Sequence, residues 1–303
     1  MTDGTSERRD RYEKALASAV EYVVMEALSL SSLEEFFFPA PAKLAQYSSS
    51  PEQLQRDVDQ IIEQFGAPPR LIITIDGGPK PKYDVYPAAA MQELVSLFHR
   101  CRRATTRAQA FLIGSHLLNS KKEVLEVSDD HIREIALNNI ESIFWEHAET
   151  GFIRLASFWD RAGQLLDFAF FGIRQFDRDG FSAVMDRIKN NKVTVDYCLS
   201  QLPAWASLRV FQNSEKEDGL KWLLRRRNLV VHSLYLRPLH EDGDKELFDS
   251  EFNYLDMALR KKLAPGTPAE EITRLNIQLS KAAEMFPNVL ELCRHAIDRR
   301  RRN

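Results

Sequence analysis

Apolar positions recur at intervals of three and four along most of this chain, and helix is the element they predict. Tyr12, Leu16, Val20, Val23, Val24 and Ala27 place a first helix over about 7–30. Phe36, Phe37 and Phe38 then meet Pro39 and Pro41, which cannot continue a helix. The three phenylalanines read as buried packing. Ser50-Pro51 opens a second helix toward Phe65, because proline suits the first helical position. A β pattern follows. Leu71-Ile72-Ile73-Thr74-Ile75 is short and β-branched, Gly77-Gly78-Pro79 is turn chemistry, and Lys82 to Tyr86 alternates. These residues predict a hairpin. Helical spacing returns with Met91, Leu94, Val95, Leu97 and Phe98, and Val124 to Val127 reads as a strand or connector.

From residue 128 onward only helices are expected. Ser128-Asp129-Asp130 supplies capping side chains. One helix carries Ile132, Ile135, Ile140 and Phe144. Another, after Gly151, carries Phe152, Leu155, Phe158, Trp159, Leu165 and Leu166. Gly163 inside it costs about 1 kcal/mol against alanine and marks a close helix approach. Further helices are expected over 181–188 and over 193–210, the latter bent or broken at Pro203. Another runs from about Gly219 to before Pro238, and a last one starts near Pro268 and breaks before Pro287. The fold class read from this pattern is mostly α. A helical bundle over 128–303 follows a small α+β module with a β-hairpin over 1–127.

Composition narrows the function classes. The chain has 303 residues, 41 basic and 44 acidic, for a net charge of −3. Bulk attraction to nucleic acid is therefore not expected, and any polyanion contact must be local. The dense basic clusters are Arg225-Arg226-Arg227 and Arg299 to Arg302. Three cysteines far apart, Cys101, Cys198 and Cys293, suggest reduced thiols rather than a disulfide framework. There is no CxxC and no His/Cys ligand spacing, so no metal and no cofactor is expected. The first ten residues are too polar for a signal peptide, and no apolar run reads as long enough to span a bilayer. The expectation is a cytoplasmic protein with no membrane contact.

The chemistry concentrates in the helix near Gly219. Leu220, Leu223, Leu224, Val230, Val231 and Leu234 define its expected apolar face, with Arg227 projecting into the middle. A buried guanidinium without a partner is costly, so Arg227 requires an acid, a wet cleft or a function. Basic side chains near a helix C-terminus also favour the macrodipole, and their stems can be buried with the charge in water. Asp160-Arg161 sets a second charged pair inside the most apolar helix, either as a salt bridge or as the wall of a site. Asp129-Asp130-His131 reads as capping chemistry. Gly77-Gly78 lacks the lysine and helix of a phosphate loop.

Arg227-Asn228-Leu229-Val230-Val231-His232 resembles the R-N-xxx-H signature of the HEPN superfamily of helical RNases. The setting on a late helix of a compact bundle is similar, and Phe158-Trp159-Asp160-Arg161 resembles the aromatic-Asp-Arg helix of some bacterial members. The resemblance covers about 128–303. It implies a metal-independent endoribonuclease acting on RNA, a homodimer, and a toxin or phage-defence role with an inhibitory partner or trigger. The rival expectation is a non-catalytic HEPN-like binding or scaffold protein.

By that resemblance Arg227, His232 and Asn228 are the catalytic candidates. Arg225, Arg226, Asp160 and Arg161 are the substrate-binding ones. The residue types suit the chemistry. Imidazole titrates near neutrality and can take the 2′-OH proton or protonate the leaving oxygen, and a guanidinium can stabilise charge growing on the phosphate. Asn228 can orient His232 or hold a phosphate oxygen. On one ideal helix Arg227 and His232 stand about 140° apart, whereas Arg225 and His232 share a face. The family pattern favours Arg227 and single-helix geometry favours Arg225. A site formed where two such helices meet across a dimer removes the conflict.

Overall fold

The computed structural model describes residues 3–37, 86–120, 130–173, 180–191, 197–232, 250, 253–254 and 256–302. Among them every regular element is an α-helix. In chain order these are α1 (Asp3–Phe37), α2 (Tyr86–Ser120), α3 (Asp130–Phe171), α4 (Phe181–Asn190), α5 (Tyr197–Gln201), α6 (Pro203–Asn213), α7 (Leu220–His232), α8 (Met257–Leu263) and α9 (Pro268–Arg302). The expected helix over 51–65, nearly all of the hairpin and the connector over 123–127 lie outside the described residues. Tyr86, taken as the hairpin's last residue, instead opens α2.

The chain forms two compact units, Met1–Ala40 and Pro41–Asn303. The boundary expected at 127/128 does not coincide with this division. α2 and α3 lie on either side of that boundary, yet they make the most extensive helix pair among the described residues. The reason is burial. Leu94, Phe98 and Cys101 of α2 are almost inaccessible, and so are Phe152, Leu155, Phe158 and Trp159 of α3. Phe98 and Phe158 stack with ring centroids 6.1 Å apart.

α3 is the axis of the larger unit. It packs against α2, α4, α7 and α9, and a helix contacted on so many sides must be apolar nearly all round. Phe152, Leu155, Phe158, Trp159, Ala162, Leu165 and Leu166 have no exposed surface. Each large side chain among them contributes about 1.5–3 kcal/mol by leaving water. Phe158 also meets Phe286 of α9 at 5.9 Å, and Trp159 meets Phe211 of α6 at 4.5 Å.

Two expected breaks are absent. Gly151 does not divide α3, which runs unbroken for 42 residues. A Cβ there would sit 2.9 Å from Leu275 Cδ2, so this glycine admits α9 rather than ending a helix. Pro287 lies inside α9. Its missing N–H and its ring cost about 3 kcal/mol in a helix interior, and burial of Phe286, Val289 and Leu290 around it offsets that cost. Pro203 does break the chain as expected, separating α5 from α6.

The unit Met1–Ala40 holds α1. An 18-residue window within Arg11–Phe37 has mean hydropathy 1.3, and none of that window is buried. By length and composition it could cross a membrane, which corrects the expectation that no apolar run is long enough.

Candidate functional site on helix α7

α7 begins after a tight turn. Gly219 cannot be replaced there without a Cβ 2.3 Å from the Ser214 carbonyl oxygen, and its own carbonyl accepts the first helical bond, from Leu223 N at 3.2 Å. Gln278 Nε2 of α9 donates to the carbonyls of Glu217 and Gly219 at 2.6 and 3.1 Å, fixing where the helix starts.

The buried face differs from the expected one. Leu220, Trp222, Leu223, Arg226 and Leu229 are inaccessible, while Val231 is 48% exposed. The guanidinium in the apolar stripe therefore belongs to Arg226, not Arg227. Trp222 and Leu229, left out of the expected face, rotate its centre by one residue, about 100°. Arg226 donates to Glu271 Oε1 and to the Leu263 carbonyl. Its guanidinium carbon lies 5.7 Å from the Phe152 ring centre and 5.9 Å from that of Trp222, which adds cation–π attraction. Burial disfavours the cation, and the Glu271 carboxylate opposes that. Arg274 shares Glu271 and reaches Glu217 Oε1 at 3.1 Å. Arg226 thus has no surface to offer a substrate. It is a core ion pair joining α7, α8 and α9.

The flanking arginines diverge. Arg225 is half-buried and turns to Glu215, with Nη2 to Oε1 at 3.3 Å. Arg227 is also half-buried, but it faces α3, where its charge acts on Asp160. Its Nε is buried and donates to no described residue. Asn228 is exposed. His232 is the last residue of α7, and its side chain lies outside the described residues.

The charge of Arg227 thus acts on Asp160, 67 positions earlier in the sequence, and a third element meets that carboxylate. The chain entering α4 presses on α3. A Cβ at Gly163 would lie 2.6 Å from Phe181 Cα, and one at Gly180 would lie 2.5 Å from Asp160 Oδ1. The close approach expected at Gly163 is there. Asp160 accepts the Phe181 N–H, placing a carboxylate at a helix N-terminus, where the dipole favours it. One face of α3 continues this arrangement. Asp167, two turns on, takes Arg187 Nη1 of α4 at 2.5 Å. Burial pushes the Asp160 carboxyl above its ordinary value. Arg227, the Phe181 N–H and Arg161 pull the other way.

Arg161 does not share this place. It reaches Glu93 Oε1 of α2 at 3.1 Å and Gln164 Oε1 at 2.7 Å, because consecutive helical residues point about 100° apart. The sequence candidates therefore separate. Arg227 acts on Asp160 through its charge, Arg225 and Asn228 remain accessible, and Arg161 and Arg226 serve helix packing. The α4 entry at Gly180-Phe181 was not anticipated as part of the site. Its one sequence signal was Gly163, which announced a close neighbour without naming it. Among the described residues no three of His, Cys, Asp and Glu gather in a set able to hold a metal ion.

Comparison of the chain with protein-family models, with curated proteins and with solved structures finds no match.

Proposed function

We propose that the protein is a metal-independent endoribonuclease of HEPN type, working as a cytoplasmic homodimer with toxin or defence activity under the control of a trigger or inhibitory partner. Its site centres on the C-terminal half of α7. The observation that supports this most is the state of Arg227, which is half-buried, acts by its charge on Asp160, and is left with a buried Nε that no described residue uses. Asn228 beside it is exposed. In this reading the RNA 2′-oxygen attacks phosphorus and the bond from phosphorus to the 5′-oxygen breaks. His232 takes the 2′-OH proton or delivers one to the leaving oxygen. Arg227 stabilises the charge on the phosphate, and Asn228 orients His232 or binds a phosphate oxygen. Arg225 adds a local positive charge for the RNA backbone. Two copies of α7 facing each other supply the convergence that one helix cannot.

The second reading is a non-catalytic binding or scaffold protein. It is favoured by the Phe181 N–H donated to Asp160, a hydrogen bond that ties α3 to the start of α4. RNA cleavage by the full chain and by His232→Ala separates the two. Endoribonuclease action gives 2′,3′-cyclic phosphate and 5′-OH ends, spares DNA because it lacks the 2′-OH, and is insensitive to EDTA. His232→Ala abolishes it with the helical circular dichroism intact. RNA binding without cleavage, or loss of helicity in the variant, supports the scaffold.

A further inference from the structure

We propose that the seam between α2 and α3 is a track for the phosphate backbone of a nucleic acid, RNA and DNA alike. The proposal goes beyond the reading of α7 and stands whether or not α7 cleaves RNA. The two helices are antiparallel and keep one register. Arg161 Nε meets Glu93 Oε1 at 3.1 Å, Phe158 meets Phe98 at 6.1 Å, and His147 meets Phe111 at 5.8 Å. Each step up α2 is thus matched by a step down α3. Two turns along, a helix presents nearly the same face again, because a heptad drifts by only about 20°. A heptad beyond Glu93 stands Arg100, and a heptad before Arg161 stands Arg154. One rung of the seam is an ion pair, and at the next the register places Arg100 opposite Arg154. The charge of Arg154 acts on Cys101 of α2, next to Arg100.

Among the described residues, no hydrogen bond or ion pair engages Arg100 or Arg154. Arg100 is exposed and Arg154 half-buried. Arg103 and Arg107 carry the same line of α2 onward at spacings of three and four. The acids stand at the ends of the seam: Glu93, held by Arg161, and Glu146, more than two turns before Arg154. Like charges set opposite each other repel, and a phosphate between two guanidinium forks replaces that repulsion with attraction. From Glu93 to Arg107 the line is about 20 Å long. That length suits a chain of phosphates rather than one anion. Phosphate contacts carry no base sequence, so DNA serves as well as RNA. Phe152, which packs on Trp222 of α7, and Arg154 point about 160° apart on α3. The track therefore faces away from α7.

The test is fluorescence anisotropy of the full chain with labelled oligo(dT) and oligo(U) of about 20 nucleotides, between about 50 and 200 mM salt. Wild type is expected to bind both with affinities within about threefold of each other. Arg100→Glu/Arg154→Glu is expected to bind both about tenfold more weakly, with a salt slope shallower by about 1.4, since each lost contact with a single strand removes about 0.7. Arg100→Gln/Arg154→Gln, which keeps size and polarity, should give the same change of slope with unaltered circular dichroism. Lys189→Glu/Arg294→Glu makes the same charge change at exposed positions off the seam, and its affinity should stay within about twofold of wild type. A wild type that binds neither oligonucleotide overturns the proposal, even if it cleaves RNA. So does binding that both seam variants leave unchanged, which would place the contact elsewhere, α7 included. Equal loss in the off-seam variant would make the effect one of net charge and overturn it too. Binding of oligo(U) without oligo(dT) would show recognition of the 2′-OH instead of the backbone, and poly-glutamate binding as tight as oligo(dT) would assign the seam to an acidic protein.

Discussion

The Asp160 carboxylate of α3 accepts the N–H of Phe181, the first of α4, and the charge of Arg227 on α7 favours its ionised form. One half-buried acid thus meets a helix dipole and feels the charge of a guanidinium. Burial is the larger influence, so the carboxyl holds its proton more tightly than in the unfolded chain.

The sign of the pH dependence follows. A group whose folded-state carboxyl value is raised binds more protons folded than unfolded, so its contribution to stability falls as pH rises from 3.8 toward that raised value. Asp160→Asn should flatten this part of the stability–pH curve in urea titrations. Arg227→Ala removes the leading opposing influence and should raise the Asp160 carboxyl further, read by carboxyl NMR. An unchanged Asp160 titration in Arg227→Ala would show that the two charges do not interact. Asp186 provides the opposite sign. Arg209 Nη1 donates to its Oδ1 at 2.6 Å and its value is lowered, so its contribution fades as pH falls below 3.8.

Arg226 and Arg225 should behave differently although they are neighbours. Arg226→Met strands Glu271 in the core with Arg274 as its remaining cation, and removing one member of a buried pair costs about 3–5 kcal/mol. Arg225→Met breaks an exposed pair with Glu215, worth about 0–1 kcal/mol. Urea midpoints at constant slope measure both. A loss under about 1 kcal/mol for Arg226→Met would remove the ion pair from the account of the core.

Gly163→Ala sets two effects against each other. Alanine improves helix propensity by about 1 kcal/mol. The added Cβ would lie 2.6 Å from the Phe181 Cα, a backbone atom that cannot swing aside, and overpacking of this kind costs about 1–3 kcal/mol. The expected result is a lower melting temperature. A higher one would mean that α4 can move off α3 without penalty.

If α7 carries RNase chemistry, the two half-buried arginines should not contribute equally. Arg227→Ala should lower the cleavage rate by about 10²–10³, the usual loss for a group stabilising transition-state charge. Arg225→Ala should do less, and should mainly weaken RNA binding and its dependence on salt. Equal loss from both, or a larger loss from Arg225→Ala, would transfer the phosphate-binding role to Arg225.

Much of the helical architecture was legible in the chain. Spacing placed α2, α4, α6, α7 and α9 because helical periodicity is local, and Pro203 marked a true break because proline lacks the N–H a helix needs. Asp160 and Arg227 could be singled out because charge inside apolar helices is costly wherever it falls. That the charge of Arg227 acts on Asp160 could not be read, since the two lie 67 residues apart. Gly151 and Pro287 resemble breaks in isolation, and burial against neighbouring helices overrides their local cost. The inward arginine of α7 was misplaced by one residue because a helical wheel gives angles between side chains without giving the direction of the core. That direction was set by where α3, α8 and α9 lie, and with it the sequence Arg225-Arg226-Arg227 was divided into a half-buried ion pair with Glu215, a core ion pair with Glu271 and a charge that acts on Asp160.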